Sequence, residues 1–246
     1  LGMRERCDFA IMFKKVISLL SKIENFILPE TCLNCRRAGQ ALCPACRVQI
    51  KKIPERCPTC GRRQNLGLFC QKCRQTHRTI SFDGIFAYTS EDDQIMTKAI
   101  KALKYQGVKS LGRILGKMLG RRLVISWKQA PASIKKRNTI IIPMPLHPRR
   151  QRARGFNHSQ LIAAGIAQVS GWLINENLKR KAWHKPNAVS LDNQKTFVYK
   201  GKLLTGNNII LVDDAIATGA TAQAAAQALK TAGADTVIVA TLTQSF

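Results

Sequence analysis

The chain has 246 residues, of which 45% are hydrophobic and 22% charged, and it carries a formal net charge of +26 at pH 7. That length holds one substantial domain and something small, and no apolar run approaches the roughly eighteen residues of a membrane-spanning helix. The charge is unevenly spread: residues 94–202 hold 23 Lys/Arg against two acids, Glu176 and Asp192, whereas after Lys202 only Lys230 stands against three aspartates. So lopsided a middle segment suits a polyanion, whether nucleic acid, a phosphorylated substrate or an anionic membrane face; solvated helix faces would not need it.

Residues 1–28 read as an amphipathic helix, with Phe13, Val16, Ile17, Leu20, Ile23 and Ile27 on one face and Lys14, Lys15 and Lys22 elsewhere. Lys22 and Glu24 interrupt the apolar stretch, which disfavours a signal peptide. The helix either packs on the protein's own domains or lies on a membrane surface, its lysines toward the headgroups.

Residues 29–78 form the second segment. Eight of the nine cysteines stand in four C-x-x-C pairs, Cys32/Cys35, Cys43/Cys46, Cys57/Cys60 and Cys70/Cys73. A C-x-x-C knuckle presents two thiolates to one tetrahedral ion, and two knuckles complete a four-cysteine zinc site. Too few large apolar residues lie between Cys32 and Cys73 to build a core, so metal must hold the segment together. Two structural zinc ions are expected; sequential pairing of the knuckles is the simpler scheme and a cross-brace the alternative. Cys7 is left outside this set.

From residue 79 the composition changes to that of an α/β domain. Residues 80–88, ISFDGIFAY, predict a strand, and the acids at 91–93 open a helix with Ile95, Ala99 and Leu103 inward and Lys98, Lys101 and Lys104 on a basic edge. Gly107 separates it from a helix over residues 110–124. TIIIPM (139–144) predicts a buried strand. The proline- and arginine-dense stretch after it reads as a loop, whose Arg149, Arg150, Arg152 and Arg154 offer planar forks to phosphate or pyrophosphate oxygens. His147 is either part of that chemistry or a plain loop residue. A helix over residues 160–170 follows.

Residues 209–221, IILVDDAIATGAT, carry the sharpest signal. Four apolar β-formers predict a buried parallel strand. Asp213 and Asp214 sit where that strand would emerge. The small residues Ala215, Ala217, Thr218, Gly219, Ala220 and Thr221 then lead into a helix, so that free N–H groups and the helix dipole make an anion cradle. Carboxylates beside a phosphate cradle suit a ribose 5-phosphate unit, its diol on the aspartates and its phosphate on the loop; the plain alternative is a turn in which the aspartates only cap the helix. Apolar strands near residues 80, 139, 209 and 236, alternating with helices, predict an open parallel sheet with helices on both faces and the ligand over the strands' carboxyl ends.

The 209–221 pattern resembles the phosphoribosyl pyrophosphate (PRPP) signature of type I phosphoribosyltransferases, hydrophobic-DD-x-x-[AT]-TG-x-T. A C-x-x-C module, LKYQG (103–107), PMPLHPRRQRARGFNHS and VDDAIATGAT, in that order, together resemble the ComF family of natural competence. The resemblance implies a phosphoribosyltransferase-type α/β domain over residues 79–246 behind the small cysteine-rich zinc module. It also implies a cytoplasmic protein, attached or not to the inner face of the membrane, that works on incoming single-stranded DNA. Residues 182–198 depart from the family: the R-x-R-x-T-x-x-Q stretch expected there is shortened after Arg180 and Lys181, with Trp183, His184, Pro186 and Asn187 near the cleft entrance.

By this resemblance Asp213 and Asp214 hold the ribose diol of PRPP, directly or through Mg²⁺, while the backbone of 215–221 holds the 5-phosphate and the arginines steady the pyrophosphate. No side chain is identified as a general base. Three functions follow as expectations. One is a PRPP-binding DNA-uptake protein that binds single-stranded DNA through its basic surface. The others are an active phosphoribosyltransferase of nucleotide metabolism and a zinc-dependent adaptor docking on a helicase-type DNA-processing partner.

Overall fold

The computed structural model describes residues 30–181 and 196–245. The expected helix over 1–28, Cys7, and Trp183, His184, Pro186 and Asn187 lie outside the described residues. The chain divides into two compact units between Gln49 and Ile50. In the first, a Thr31–Ala38 antiparallel bridge closes the turn that carries Cys32 and Cys35, and helix α1 (Pro44–Gln49) follows Cys43.

The second unit repeats this device. An Arg56–Arg63 bridge closes the turn of Cys57 and Cys60, a 3-10 turn spans Asn65–Gly67, and helix α2 (Gln71–Thr76) starts after Cys70. Beyond it run strand β1 (Gly84–Ser90), helices α3 (Gln94–Tyr105), α4 (Ser110–Lys128) and α5 (Ala132–Lys135), and strand β2 (Asn138–Pro143). Then come α6 (Pro148–Arg154), α7 (His158–Ser170), β3 (Leu173–Ile174), β4 (Leu178–Arg180), β5 (Phe197–Tyr199), β6 (Asn207–Val212), β7 (Ala215–Ile216), α8 (Ala220–Thr231) and β8 (Thr236–Gln244).

The main sheet is parallel throughout, in the order β1-β8-β6-β2-β3, with β7 also pairing on β8; β4 and β5 form a separate antiparallel ribbon. Near-continuous burial of β6 and β8 explains their unbroken apolar runs, because both faces of these strands are covered. Ile209, Leu211, Val237 and Val239 share a core with Ala222, Ala225, Ala226 and Leu229 of α8. The period of two turns Ile210 and Ile238 to the other face, where α4 and α7 cross the strands.

Those two helices meet backbone to backbone. A Cβ placed on Gly116 would lie 2.1 Å from the Ile162 carbonyl oxygen and 2.9 Å from Gly165 Cα. With Gly112 and Gly120 one helical turn to either side, α4 presents a glycine seam to α7. Arg122, on the same helix, donates to the carbonyls of Ala87 (2.9 Å), Tyr88 (2.7 Å) and Ile53, and Glu55 accepts from Leu66 N (2.6 Å) and pairs with Ser126 Oγ. These bonds pin residues 53–66 against β1 and α4.

Three sequence expectations shift. Strand β1 begins at Gly84 rather than Ile80, and α4 extends to Lys128. The arginine stretch is a helix, not a loop: Pro148 sits at its first turn, where no N–H is needed. His147 Nδ1 accepts from Arg149 N (3.2 Å) at its start, and left-handed Gly155 ends it.

Candidate functional site

The eight cysteines form two groups, Cys32/Cys35/Cys43/Cys46 and Cys57/Cys60/Cys70/Cys73, each with its four Sγ atoms within 4.8 Å of one another. Knuckles therefore pair sequentially, first with second and third with fourth. Cys35 and Cys43 Sγ are 3.6 Å apart and Cys60 and Cys70 Sγ 3.7 Å. A disulfide would need ~2.05 Å; a tetrahedron with Zn–S bonds of ~2.3 Å has edges of ~3.8 Å. The spacing and the all-thiolate donor set fit zinc. Burial raises the Cys32 and Cys57 thiols, but backbone donors outweigh it and bring each to about 6. For Cys46 the Asn34 amide works downward, yet burial and the neighbouring sulfurs push it up to about 12. Four cysteine sulfurs this close suit a dication, which would hold all four as thiolates.

The second site lies over the carboxyl ends of β2 and β6. Asp213 N donates to Ala240 O (3.0 Å), and Asp214 O accepts from Leu242 and Thr243 N (3.0 and 3.1 Å), so β8 fixes the chain where it leaves β6. Ala215 and Ile216, expected in the loop, continue as β7 on β8. The turn proper is Ala217, Thr218 and Gly219, and Gly219, at φ +74°, caps α8 in the left-handed region that glycine tolerates best. Ala220 and Thr221 open the helix, and Thr218 Oγ1 accepts from Ala220 N (3.4 Å). A cavity of about 220 Å³ runs from Asp213 along this turn to Ala222.

The two aspartates stand differently. Asp213 lines the cavity, and its Oδ1 accepts from Ser159 Oγ (3.1 Å) and Asp214 N (2.9 Å). Asp214 is 4% exposed and pairs with the Lys104 ammonium and with His158 Nε2 (2.8 Å). Burial alone would raise the Asp214 carboxyl, but the His158 hydrogen bond and the Lys104 charge hold it below the usual range. Burial pulls His158 down, and hydrogen bonds to Asp213 and Asp214 outweigh it and leave the imidazole above its ordinary value. Arg154 Nη1 lies 3.0 Å from His158 Nδ1. A guanidinium only donates, so that contact belongs to the neutral ring with its proton on Nε2.

Asn157 places this histidine. Its Oδ1 caps α7 through Ser159 N (3.0 Å) while its Nδ2 donates to Met144 O (3.0 Å), tying the end of β2 to the helix start.

The four arginines divide by helical spacing. Arg150 and Arg154, four apart, face a cleft of about 450 Å³ that also holds Lys104, Tyr105 and Phe156; Arg149 and Arg152 are exposed. Arg154 lies over the Tyr105 ring (5.4 Å) and Lys109 over Phe156 (5.4 Å). Arg180 stacks on Phe197 (5.4 Å); burial, then the charge of Arg150, lower its pKa. His147 is likewise lowered, by burial and then by Arg149, Arg180, Arg152 and Arg150, and serves as a helix cap.

Residues 161–245 match the family model of the phosphoribosyl transferase domain. The likeness to named proteins reaches further along the chain. It is 28% identical over 205 residues to competence protein ComFC of Bacillus subtilis, covering 78% of this chain and 79% of that one. It is 27% identical over 225 residues to competence protein F of Haemophilus influenzae, covering 85% and 94%. It is 25% identical over 227 residues to DNA utilization protein YhgH of Salmonella typhimurium, covering 86% and 96%. The chain is thus similar to ComF-type competence proteins along most of its length.

At this site sequence reasoning missed His158, Ser159 and Lys104, all of which come before the matched residues. The histidine had a signal: it follows an N-cap asparagine just after the arginine cluster, at the mouth of the cleft. Lys104 had none beyond its place on an amphipathic helix, because its partner, Asp214, lies far away in sequence.

Proposed function

We propose that this chain is a PRPP-binding, phosphoribosyltransferase-like protein of DNA uptake. The observation that carries the reading is the polarity of the 220 Å³ cavity, with the turn at residues 217–219 and the amino terminus of α8 at one end and the Asp213 carboxylate at the other. A pentose 5-phosphate has the same polarity, an anion at one end and hydroxyls at the other. Magnesium carried by a pyrophosphate group would find a protein oxygen at Asp213, since the Lys104 ammonium already neutralises Asp214. Arg150 and Arg154, in the neighbouring cleft, supply cationic forks for the pyrophosphate.

The same cleft supports a role on single-stranded DNA. Tyr105 is 75% exposed, and with Phe156 it sets two rings among Lys104, Arg150 and Arg154. Rings on which bases stack, inside a cationic groove, are the usual equipment for strands of unspecified sequence. The names of the relatives, competence and DNA utilization, support a role on DNA.

Calorimetric titration of PRPP with Mg²⁺ into the zinc-loaded protein tests the first part. Micromolar binding is expected, and its loss in an Asp213→Ala/Asp214→Ala double variant; no heat from a folded protein would sink it. For DNA, affinity for a single strand should fall steeply with salt as counterions are released, and Tyr105→Ala should weaken it.

A further inference from the structure

A row of cations leaves the Tyr105 cleft along helix α4. Lys109 stands at the amino-terminal cap of the helix, its Nζ 5.4 Å over the Phe156 ring that lines the cleft. Arg113, Lys117 and Arg121 follow at intervals of four, which places them on one face, and Lys128 closes the row two turns beyond. All five are exposed. None of them forms an ion pair with a described residue, and neither α4 nor its neighbour α7 contains an Asp or Glu.

Like charges four apart on a helix repel and weaken it. A face that served only solubility would interleave acids with its bases. An anion laid along the row removes the repulsion. The row is about 28 Å long at 1.5 Å per residue, and its step of about 6 Å per four residues is on the scale of one sugar–phosphate repeat in an extended strand. Ile125, 62% exposed, stands in the line between Arg121 and Lys128, and no aromatic residue does. The row therefore offers phosphates a partner and bases none.

Resting on the reading that the Tyr105 cleft holds a single strand, we infer that the α4 row is the continuation of that site. A strand whose bases stack at Tyr105 and Phe156 runs out of the cleft with its phosphates on Lys109, Arg113, Lys117 and Arg121. The ligand class for the row is the single-stranded sugar–phosphate backbone, held without regard to base. An anionic membrane is a poorer match. A helix that lies on lipid buries an apolar face there, whereas Leu111, Leu115, Leu119 and Leu123 of α4 are all buried inside the protein.

The test compares oligothymidylates of about four nucleotides, enough for the cleft, and about twelve, enough for the row as well. Fluorescence anisotropy reads their binding to the full zinc-loaded chain and to its Arg113→Gln/Lys117→Gln/Arg121→Gln variant. These positions are exposed, and the urea midpoint of the variant should equal or exceed that of wild type, because like-charge repulsion is removed. Each cation on a single-strand phosphate adds about 0.7 to the slope of log affinity against log salt. The variant should bind the longer strand with a slope shallower by about 2, and about ten-fold or more weakly at about 0.1 M salt. Its affinity for the shorter strand should change less than about three-fold, since charges more than about 10 Å away are screened. Abasic units in place of all but about four bases should leave the longer strand within about three-fold of its full affinity.

If the variant weakens both lengths alike, the cations act as diffuse charge and the inference falls. If it weakens neither, the strand leaves the cleft by another route; the inference falls and the reading of the cleft stands. A loss of about ten-fold or more on abasic substitution would mean that bases are read beyond the cleft, which also overturns it. If neither strand binds to folded wild type, both readings fail. Vesicles of phosphatidylcholine with about one-third phosphatidylglycerol supply the last arm. Vesicle binding that the variant loses while it keeps its affinity for the longer strand would assign the row to a membrane instead.

Discussion

The α4–α7 helix pair and the cysteine turns are ordered by opposite means. Where the helices cross, no polar group is spent: glycines let two backbones approach until atoms of one fill the space of missing side chains on the other. The cysteine turns have no such packing to rely on. Around Cys57, Cys70 and Cys73 the partly buried Phe69 packs against the sulfurs, and the spacing of each group of four cysteines suits a metal ion. The aspartate site falls between these two regimes. Its backbone is fixed by the packed sheet, and its side chains are fixed by charge. Order built on packing survives changes of solution, whereas order built on ligands and charges is lost with the metal or the proton.

The largest effect should come from the metal. A structural zinc on four thiolates contributes on the order of 10 kcal/mol to the folding of its segment. Chelation of the wild-type protein, or Cys57→Ser with Cys70→Ser, should abolish amide-exchange protection around residues 53–76 and leave the amides of β6 and β8 protected. Loss of protection across the whole sheet would mean that the packed core also depends on the metal.

Next is Asp214→Asn, which leaves Lys104 and His158 facing a neutral amide. Breaking a buried pair costs about 3–5 kcal/mol, readable as a fall in the urea midpoint, and the sign of its pH dependence is fixed. The Asp214 carboxyl lies below its ordinary 3.8, so its contribution is present above that value and lost as pH falls through the lowered one. His158 lies above its ordinary 6.5, so its contribution is present below 6.5 and lost as pH rises through the raised value. Wild type and variant should therefore differ most between 3.8 and 6.5.

Gly116→Ala should cost about 3 kcal/mol, because the new methyl meets backbone, which cannot rotate away. Unlike the first two effects, this one should not change with pH or chelator. Arg122→Met keeps the stem and removes the donors to three carbonyls, for about 2 kcal/mol in the same urea assay. Asp93→Ala removes the acceptor for Met96 N (2.9 Å) at the start of α3 and should cost about 1 kcal/mol.

Much of this molecule was legible in its sequence because short-range rules governed it. The strands at 138–143, 207–212 and 236–244 announce themselves as apolar runs, and the cysteine groups by ligand spacing. The arginine helix was misread because proline was counted as a breaker, although Pro148 at the first helical position favours a helix. The glycine seam could have been seen as Gly112, Gly116 and Gly120 at intervals of four, yet glycine in a helix usually argues against the helix. The division of labour between Asp213 and Asp214 was out of reach. Adjacent identical residues carry no local mark of which one the fold will bury, and the decision is made by Lys104 and His158, which come from two other helices.

The placement of β8 also governs when the protein becomes competent during synthesis. This strand is the last to be made among those described, yet it lies between β1 and β6 and receives β7 as well. A ribosome-bound chain that has not delivered it leaves β1 without a strand partner and β6 paired on its β2 side alone, with no acceptor for Asp213 N–H and no donors for the Asp214 carbonyl. Every sheet contact that shapes the ligand cavity is then long-range and late, the slow kind of folding. Until β8 is delivered, β1 and one edge of β6 stay open, and the delivery of that one strand joins the sheet and fixes the ligand site together.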